Sequence, residues 1–449
     1  MRTIRIYLEI ERSFIPKVEY VFRTFCRKYK LGYVFLCEPS SSIDVYYGNK
    51  ADAGYPVSIF HNPDAPLFFR QEKLYNQDNI NFSDYKGIKL PFLFSMGDQV
   101  VSQGARINKD IISSAFYLLS CWQEAYDPAP SIDKDNRYEH TRSLQFKGGF
   151  TEIPVVDYYF KILADCINVL TDYEATLYLS HDIDYYDYWS KDYLKKVYKH
   201  NFRRLLKKPL PSVFKISACF LMRHFQNNPA KLLENLINQE MLFGYNSTFY
   251  LMVKSSSEDQ RQHYFKNENV VKSLRTILKK SVVGLHGTQA ASINEGELSE
   301  QWNMLNEKGF NPESYRNHYL CFDYQKTFLN LEKNGVKIDS TLAFHEHIGF
   351  RAGISTPFYP YYLSEDREFK VLEIPLTIMD TTLISPKKMN LSYHRAKQRC
   401  YAIINHARNV NGQVSLLWHN NSFDKLEYRW LGKLYWELLQ LVSVSSGDL

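Results

Sequence analysis

What the 449-residue chain lacks narrows its identity first. No stretch approaches the roughly 20 consecutive apolar residues of a membrane-spanning helix. The opening "MRTIRIYLEIERSF" places Glu9 and Glu11 where a secretory signal needs an unbroken apolar run, so no export signal is expected. The seven cysteines (Cys26, Cys37, Cys121, Cys166, Cys219, Cys321, Cys400) are odd in number, scattered and without a CxxC pair. That pattern fits reduced thiols better than a disulfide framework. A dominant charge is missing as well: 55 basic against 49 acidic residues leave only +6, which is no argument for nucleic acid. The expectation is a soluble, cytoplasmic protein.

What is present is ample core material. Apolar residues make up 45% and aromatics 15%, and a charged fraction of 23% does not signal disorder. The 34 tyrosines suit polar-lined grooves such as sugar sites as well as they suit cores. The length predicts two domains. Residues 1 to 150 mix short strands ("TIRIYLEI", "YVFLCE", "IDVYYG") with helical segments ("KVEYVFRTFCRKYK", "KDIISSAFYLLSCWQEAYD") and hold no catalytic constellation. They read as an accessory α/β domain of unknown role.

From residue 171 to 445 the rhythm is regular. Strand-like runs ("EATLYLS", "STFYLMV", "SVVGLHG", "ESYRNHYL", "VKIDSTL", "VLEIPLTIM", "QVSLLWHN") alternate with helix-period segments, and Gly335 and Gly412 stand where helices should end. Strand, helix, strand repeated in this way predicts parallel β/α units. About seven strands suit a distorted (β/α) TIM-like barrel; an open doubly wound sheet is the alternative.

Polar residues fall at the predicted strand ends. Asp182 and Asp184 in "SHDID" follow the first strand and His286 closes the third. Arg316 and His318 lie at the fourth, Asp339 follows the fifth, Asp380 the sixth, and His419 with Asn420 the seventh. In a barrel all of these open onto one rim. Asp184 and His286 suit a divalent metal such as Zn²⁺, although a histidine after an apolar strand is commonly a packed core residue. Asp182 can serve as a general base or merely cap a turn. Arg316 can make a charge-assisted contact to Asp182 or a plain surface pair. His419 can act as a general acid or sit shielded beside Trp418.

These residues carry a resemblance. Residues 171 to 445 resemble the polysaccharide deacetylases, the carbohydrate esterases that share the NodB homology domain, in a bacterial branch with an extra N-terminal domain. The resemblance implies a distorted barrel and metal-dependent removal of acetyl groups from sugars, a hydrolysis of carbon–nitrogen bonds other than peptides. "SHDID" matches the first motif, making Asp182 the base and Asp184 a metal ligand. "RNHYL" matches the Arg-x-Pro-Tyr motif, and "SLLWHN" matches the strand that ends in the acid, His419. The backbone of Tyr319 then faces the oxyanion. Asp339 and Asp380 orient His419 or bind sugar hydroxyls. Apart from the resemblance, Arg351 in "HIGFRAGIS" can bind an anionic sugar or phosphate or make a surface salt bridge, and Trp418 is expected in the substrate-contacting set.

Two departures matter. "GLHGTQAAS" has Ala290 where the second metal histidine of the His-x-x-x-His motif belongs, and His318 stands where the family has proline. The expectation is therefore an Asp184, His286, His318 ligand set. A second feature, "KDYLKKVYKHNFRRLLKK" in 191–208, reads as a basic amphipathic helix that either packs on the barrel or lies on an anionic membrane surface. The second location would suit a lipid-linked glycan as substrate. Besides a deacetylase, two readings stay open: a glycan-binding protein on a decayed scaffold, and a hydrolase of a non-sugar C–N bond.

Overall fold

The computed structural model describes residues 2–40, 42–50, 54–95, 101–103, 105–127, 133, 135, 137–170, 174–186, 228–254, 264–423 and 429–443. The alternating run TIRIYL forms β1 (Thr3–Leu8), with Ile4 and Ile6 fully buried. It pairs in parallel with β2 (Gly32–Leu36) and β3 (Val45–Gly48), and β3 pairs in parallel with β4 (Val57–Phe60). A hairpin of β5 (Asn81–Tyr85) and β6 (Ile88–Phe92) turns at Lys86 and Gly87, both at positive φ (52° and 82°). That is the primed-turn geometry for which glycine carries no penalty. β7 (Ser102–Gln103) and β8 (Arg106–Ile107) complete a six-stranded sheet in the order β2-β1-β3-β4-β8-β7. The helix Ile15–Lys28 lays Val18, Val21, Phe22 and Phe25 into the core at the spacing of one helix face. The segment read as one helix from residue 109 is two, Ile111–Leu119 and Trp122–Tyr126. The chain breaks at Cys121, which adopts a left-handed φ of 47°.

The second sheet carries β9 (Thr176–Ile183), β10 (Thr248–Leu251), β11 (Val282–Gly287), β12 (Ser314–Asn317) and β13 (Ile338–Asp339). A small hairpin, β14 (Tyr361–Tyr362) with β15 (Arg367–Glu368), intervenes. β16 (Leu372–Glu373), β17 (Ile378–Met379) and β18 (Gln413–Leu417) follow. The order is β16-β13-β12-β11-β10-β9-β18-β17, and every pairing is parallel. Chain order thus runs round the sheet until the last strand, β18, pairs with the first, β9. One seam stays open: no ladder joins β16 to β17 among the described residues.

The expected count of seven becomes eight because "VLEIPLTIM" contributes two strands, with Pro375 between them. Proline has no N–H to give a ladder, so the pairing stops there. Helices Glu268–Ile277, Glu295–Glu307, Tyr324–Lys333 and Tyr393–Asn409 connect the strands as the periodicity predicts. Gly335 takes the left-handed cap (φ 72°), but the second such cap falls on Asn411 (φ 51°) rather than Gly412. Gly412 is glycine for space: a Cβ there would lie 2.0 Å from Ser355 Oγ. The basic segment 191–208 lies outside the described residues. No described helix is long and apolar enough to cross a membrane.

Candidate metal centre and its cavity

Four of the five residues of "SHDID" belong to the strand, and Asp184 follows directly after it. β9 runs on through Ile183, and strand periodicity sends Ser180 and Asp182 to one face and His181 and Ile183 to the other. His181 is accordingly remote from the cavity; its ring bonds Trp418 O (2.7 Å) and Glu240 (2.8 Å), fully buried. Glu240 also accepts from Ser247 and Tyr435.

On the other face Asp182 meets Arg316 across the sheet. Arg316 is 0% exposed and uses four of its five N–H donors: Nη1 donates to Ser180 Oγ (2.8 Å) and Asp182 Oδ1 (3.1 Å), Nε to Ser340 O and Nη2 to Ser340 Oγ. Its guanidinium lies 4.3 Å from the Tyr250 ring centre, a cation–π contact. This is the buried, charge-assisted contact rather than a surface pair.

Asp184, His286 and His318 converge. One donor atom from each lies within 4.8 Å of the others. His286 Nδ1 is 3.1 Å from the Arg316 carbonyl. A carbonyl oxygen only accepts, so Nδ1 carries a proton, and in the neutral ring Nε2 is the nitrogen left to ligate. That Nε2 lies 3.4 Å from Asp184 Oδ1 and 3.5 Å from Asp182 Oδ2. His318 Nε2 lies 3.8 Å from the same Asp184 oxygen. Asp184 Oδ1 is buried with no hydrogen-bond partner. Burial alone would raise the Asp184 pKa, yet His286, His318 and His419 hold it well below the usual carboxylate value. For His286 burial works downward and the Asp182 and Asp184 carboxylates overcome it, raising the imidazole. An orphaned carboxylate oxygen facing two imidazole nitrogens is a donor set that suits a divalent cation.

His419 is placed by Asp380. Asp380 accepts from His419 Nδ1 (2.7 Å), from the His419 backbone N–H (2.9 Å) and from Ser422. Burial lowers the His419 pKa, but Asp380 and the nearby Asp184 and Asp182 charges outweigh it and carry it up to about 9. Its Nε2 points toward Asp184 Oδ2, 3.8 Å away. Tyr319 stacks on His318 at 3.9 Å between ring centres. It holds a left-handed φ of 60°, followed by Leu320 at 54°. Two such residues in succession are strained, and the surroundings hold them there. Arg137, from the first third of the chain, donates to Tyr319 O at 2.9 Å and is itself gripped by Asp133 and Asp135.

A cavity of about 240 Å³ is lined by Asp182, Asp184, His286, His318, Tyr319 and His419, together with Asn317, Leu320, His345, Met379, Thr381, Lys388 and Leu417. Arg316 and Asp380 stand behind the lining, on Asp182 and His419, and three further expected members are elsewhere. Trp418 lies between Leu417 and His419, so alternation turns its ring into the core against Tyr435. Asp339 is fully buried beside Glu373 and accepts from Thr341, rather than orienting His419. Arg351 is no anion site: its guanidinium is buried and neutralised by Glu124 (2.8 and 2.5 Å), with a further bond to Ala343 O. Conversely, sequence reasoning missed His345, Lys388 and Arg137. They lie in loops without strand or helix periodicity, so only the folded chain shows where they point. Ala290 sits in a short 3-10 turn and does not line the cavity.

Comparisons with known proteins add the following. Residues 6–172 match a family of unknown function (DUF7033). A solved structure from Mycobacterium smegmatis, described as a "putative polysaccharide deacetylase", is similar at 15% identity and a TM-score of 0.36. The match covers 60% of this chain and 84% of that one. No curated protein matches.

Proposed function

We propose that this chain is a metal-dependent hydrolase that removes acetyl groups from an N-acetylated or O-acetylated polysaccharide or lipid-linked glycan. The observation that carries the reading is the convergence of Asp184, His286 and His318 in one cavity with two oriented proton-transfer groups, Asp182 and His419. Asp184, His286 and His318 would hold the ion, with zinc the natural candidate for an Asp-His-His set. A divalent cation there supplies Lewis acidity toward the acyl carbonyl.

The chain's own residues do the rest. Asp182, fixed by Arg316, takes the proton of the attacking water. The Tyr319 backbone N–H donates to the oxyanion that develops on the carbonyl. His419, oriented through Nδ1 by Asp380, keeps its proton on Nε2 and delivers it to the departing sugar nitrogen or oxygen. The elevated pKa suits that task, because the group stays acidic in form at neutral pH.

The test is metal content and acetate release together. Wild-type protein dialysed against zinc should bind one equivalent of metal, and His318→Ala should lose most of it. Metal stoichiometry unchanged by His318→Ala removes His318 from the ligand set. Absence of acetate from every N- and O-acetylated oligosaccharide tried, with metal bound, removes the hydrolase reading.

A further inference from the structure

The wall of the cavity that holds His345 and Lys388 has no task in the reaction above. Lys388 lines the same cavity as the Asp-His-His cluster, and its ammonium makes no hydrogen bond or ion pair with any described residue. The His345 imidazole lines it too and is equally without a bond; only its backbone carbonyl is engaged, by Thr382. The acids near Lys388 do not quench it. Asp380 is committed to His419 and Ser422, and Glu346 makes no ion pair with it. Arg137 adds a further positive field on both His345 and Lys388. Burial, then Arg137, bring the Lys388 ammonium down to about 8, and burial with Lys388 and Arg137 push His345 far down. A partly buried ammonium that makes no ion pair with any described residue carries a charge that the more distant Asp380 and Glu346 offset only in part, and an incoming anion would complete the compensation.

We propose that Lys388 and His345 form an anion subsite of this cavity, which receives a carboxylate or phosphate group carried by the substrate beside its acetyl group. The inference rests on the hydrolase reading for the identity of the cavity as a substrate site. A carboxylate and a phosphate each offer several acceptor oxygens to the three N–H bonds of an ammonium. A neutral sugar hydroxyl leaves the charge uncompensated. The subsite therefore selects an acidic glycan, or one still attached to a phosphate, over a neutral chain.

Binding to the metal-loaded full chain decides it. Calorimetry with N-acetylglucosamine, N-acetylmuramic acid and N-acetylglucosamine 1-phosphate at about pH 6.5 keeps the ammonium charged. The wild type should prefer at least one anionic ligand over the neutral sugar by about tenfold. Lys388→Met should erase that preference while leaving the neutral sugar unaffected, and Lys388→Arg should retain most of it. The carboxylate and phosphate arms identify which anion the site takes. Equal binding of neutral and anionic ligands by the wild type, or a preference that survives Lys388→Met, overturns the subsite. Acetate release is followed in parallel: a lysine-dependent preference without turnover leaves the subsite standing and removes only the hydrolase reading.

Discussion

At the scale of single residues, the Asp380–His419 pair is the clearest handle. Its carboxylate accepts both the ring N–H and the backbone N–H of His419. Replacing Asp380 by Asn removes a negative charge that favours the imidazolium, so the His419 pKa must fall. By NMR titration of metal-free protein we expect a drop of about 1 unit or more from the wild-type position near 9. Where acetate release is measurable, its alkaline limb should move to lower pH in step. An unshifted titration would show that Asp380 is only a scaffold. Arg316 makes a complementary prediction. Arg316→Met strands the buried Asp182 carboxylate and should cost about 3–5 kcal/mol in urea unfolding. The mutual dependence of Asp182, Asp184, His286 and His419 was legible in the sequence because each sits at a strand end. Which acid orients His419 was not legible: Asp339 and Asp380 occupy equivalent positions after consecutive strand-like runs. Only register separates them, by setting Asp339 beside Glu373 instead.

At the scale of elements, that β13–β16 pairing creates its own pH dependence. Asp339 and Glu373 are register partners, both fully buried. Burial first, and the Asp339 charge second, raise the Glu373 pKa well above its ordinary 4.5. The folded state thus keeps a proton that the unfolded chain releases. Stability from this group is greatest below the unfolded pKa and declines as pH climbs toward the folded one. Glu373→Gln removes the proton from the account, so its stability relative to wild type should improve steadily as pH rises above 4.5, measured by denaturant midpoints. A constant difference across pH would contradict the raised value. Backbone placement makes a second demand. Gly349 holds φ 133°, and a Cβ there would stand 2.3 Å from the Thr151 carbonyl oxygen. Gly349→Ala should cost about 1–3 kcal/mol. The alternation of strand and helix was readable from apolar periodicity, and it supplied the parallel sheet. The splitting of the sixth run at Pro375, and the left-handed breaks at Cys121 and Asn411, were less readable. They are set by local backbone geometry rather than by pattern.

At the scale of the whole molecule, residues from the first third of the chain tie directly to the segments around the eight-stranded sheet. Lys28 pairs with the buried Asp157, which also accepts from the backbone and side chain of Ser355 and from Thr356. Glu124 neutralises Arg351. Glu124→Ala leaves a buried guanidinium without a partner and should cost about 3–5 kcal/mol while leaving metal stoichiometry unchanged. A concurrent loss of metal would mean that this ion pair supports the cluster. None of these long-range pairs was foreseeable from the linear order, since each joins residues more than a hundred positions apart.

The grip of Arg137 on the Tyr319 carbonyl has one more consequence. Every candidate ligand and proton carrier lies beyond residue 180, so a shortened chain starting there would retain the full chemical inventory. It would lack the guanidinium that braces two consecutive left-handed residues at the mouth of the chamber. Such a fragment should let the peptide after Tyr319 relax toward ordinary backbone angles, and the groups around the ion would then be complete in kind but loose in aim. The leading segment is in this sense part of the tool rather than its handle.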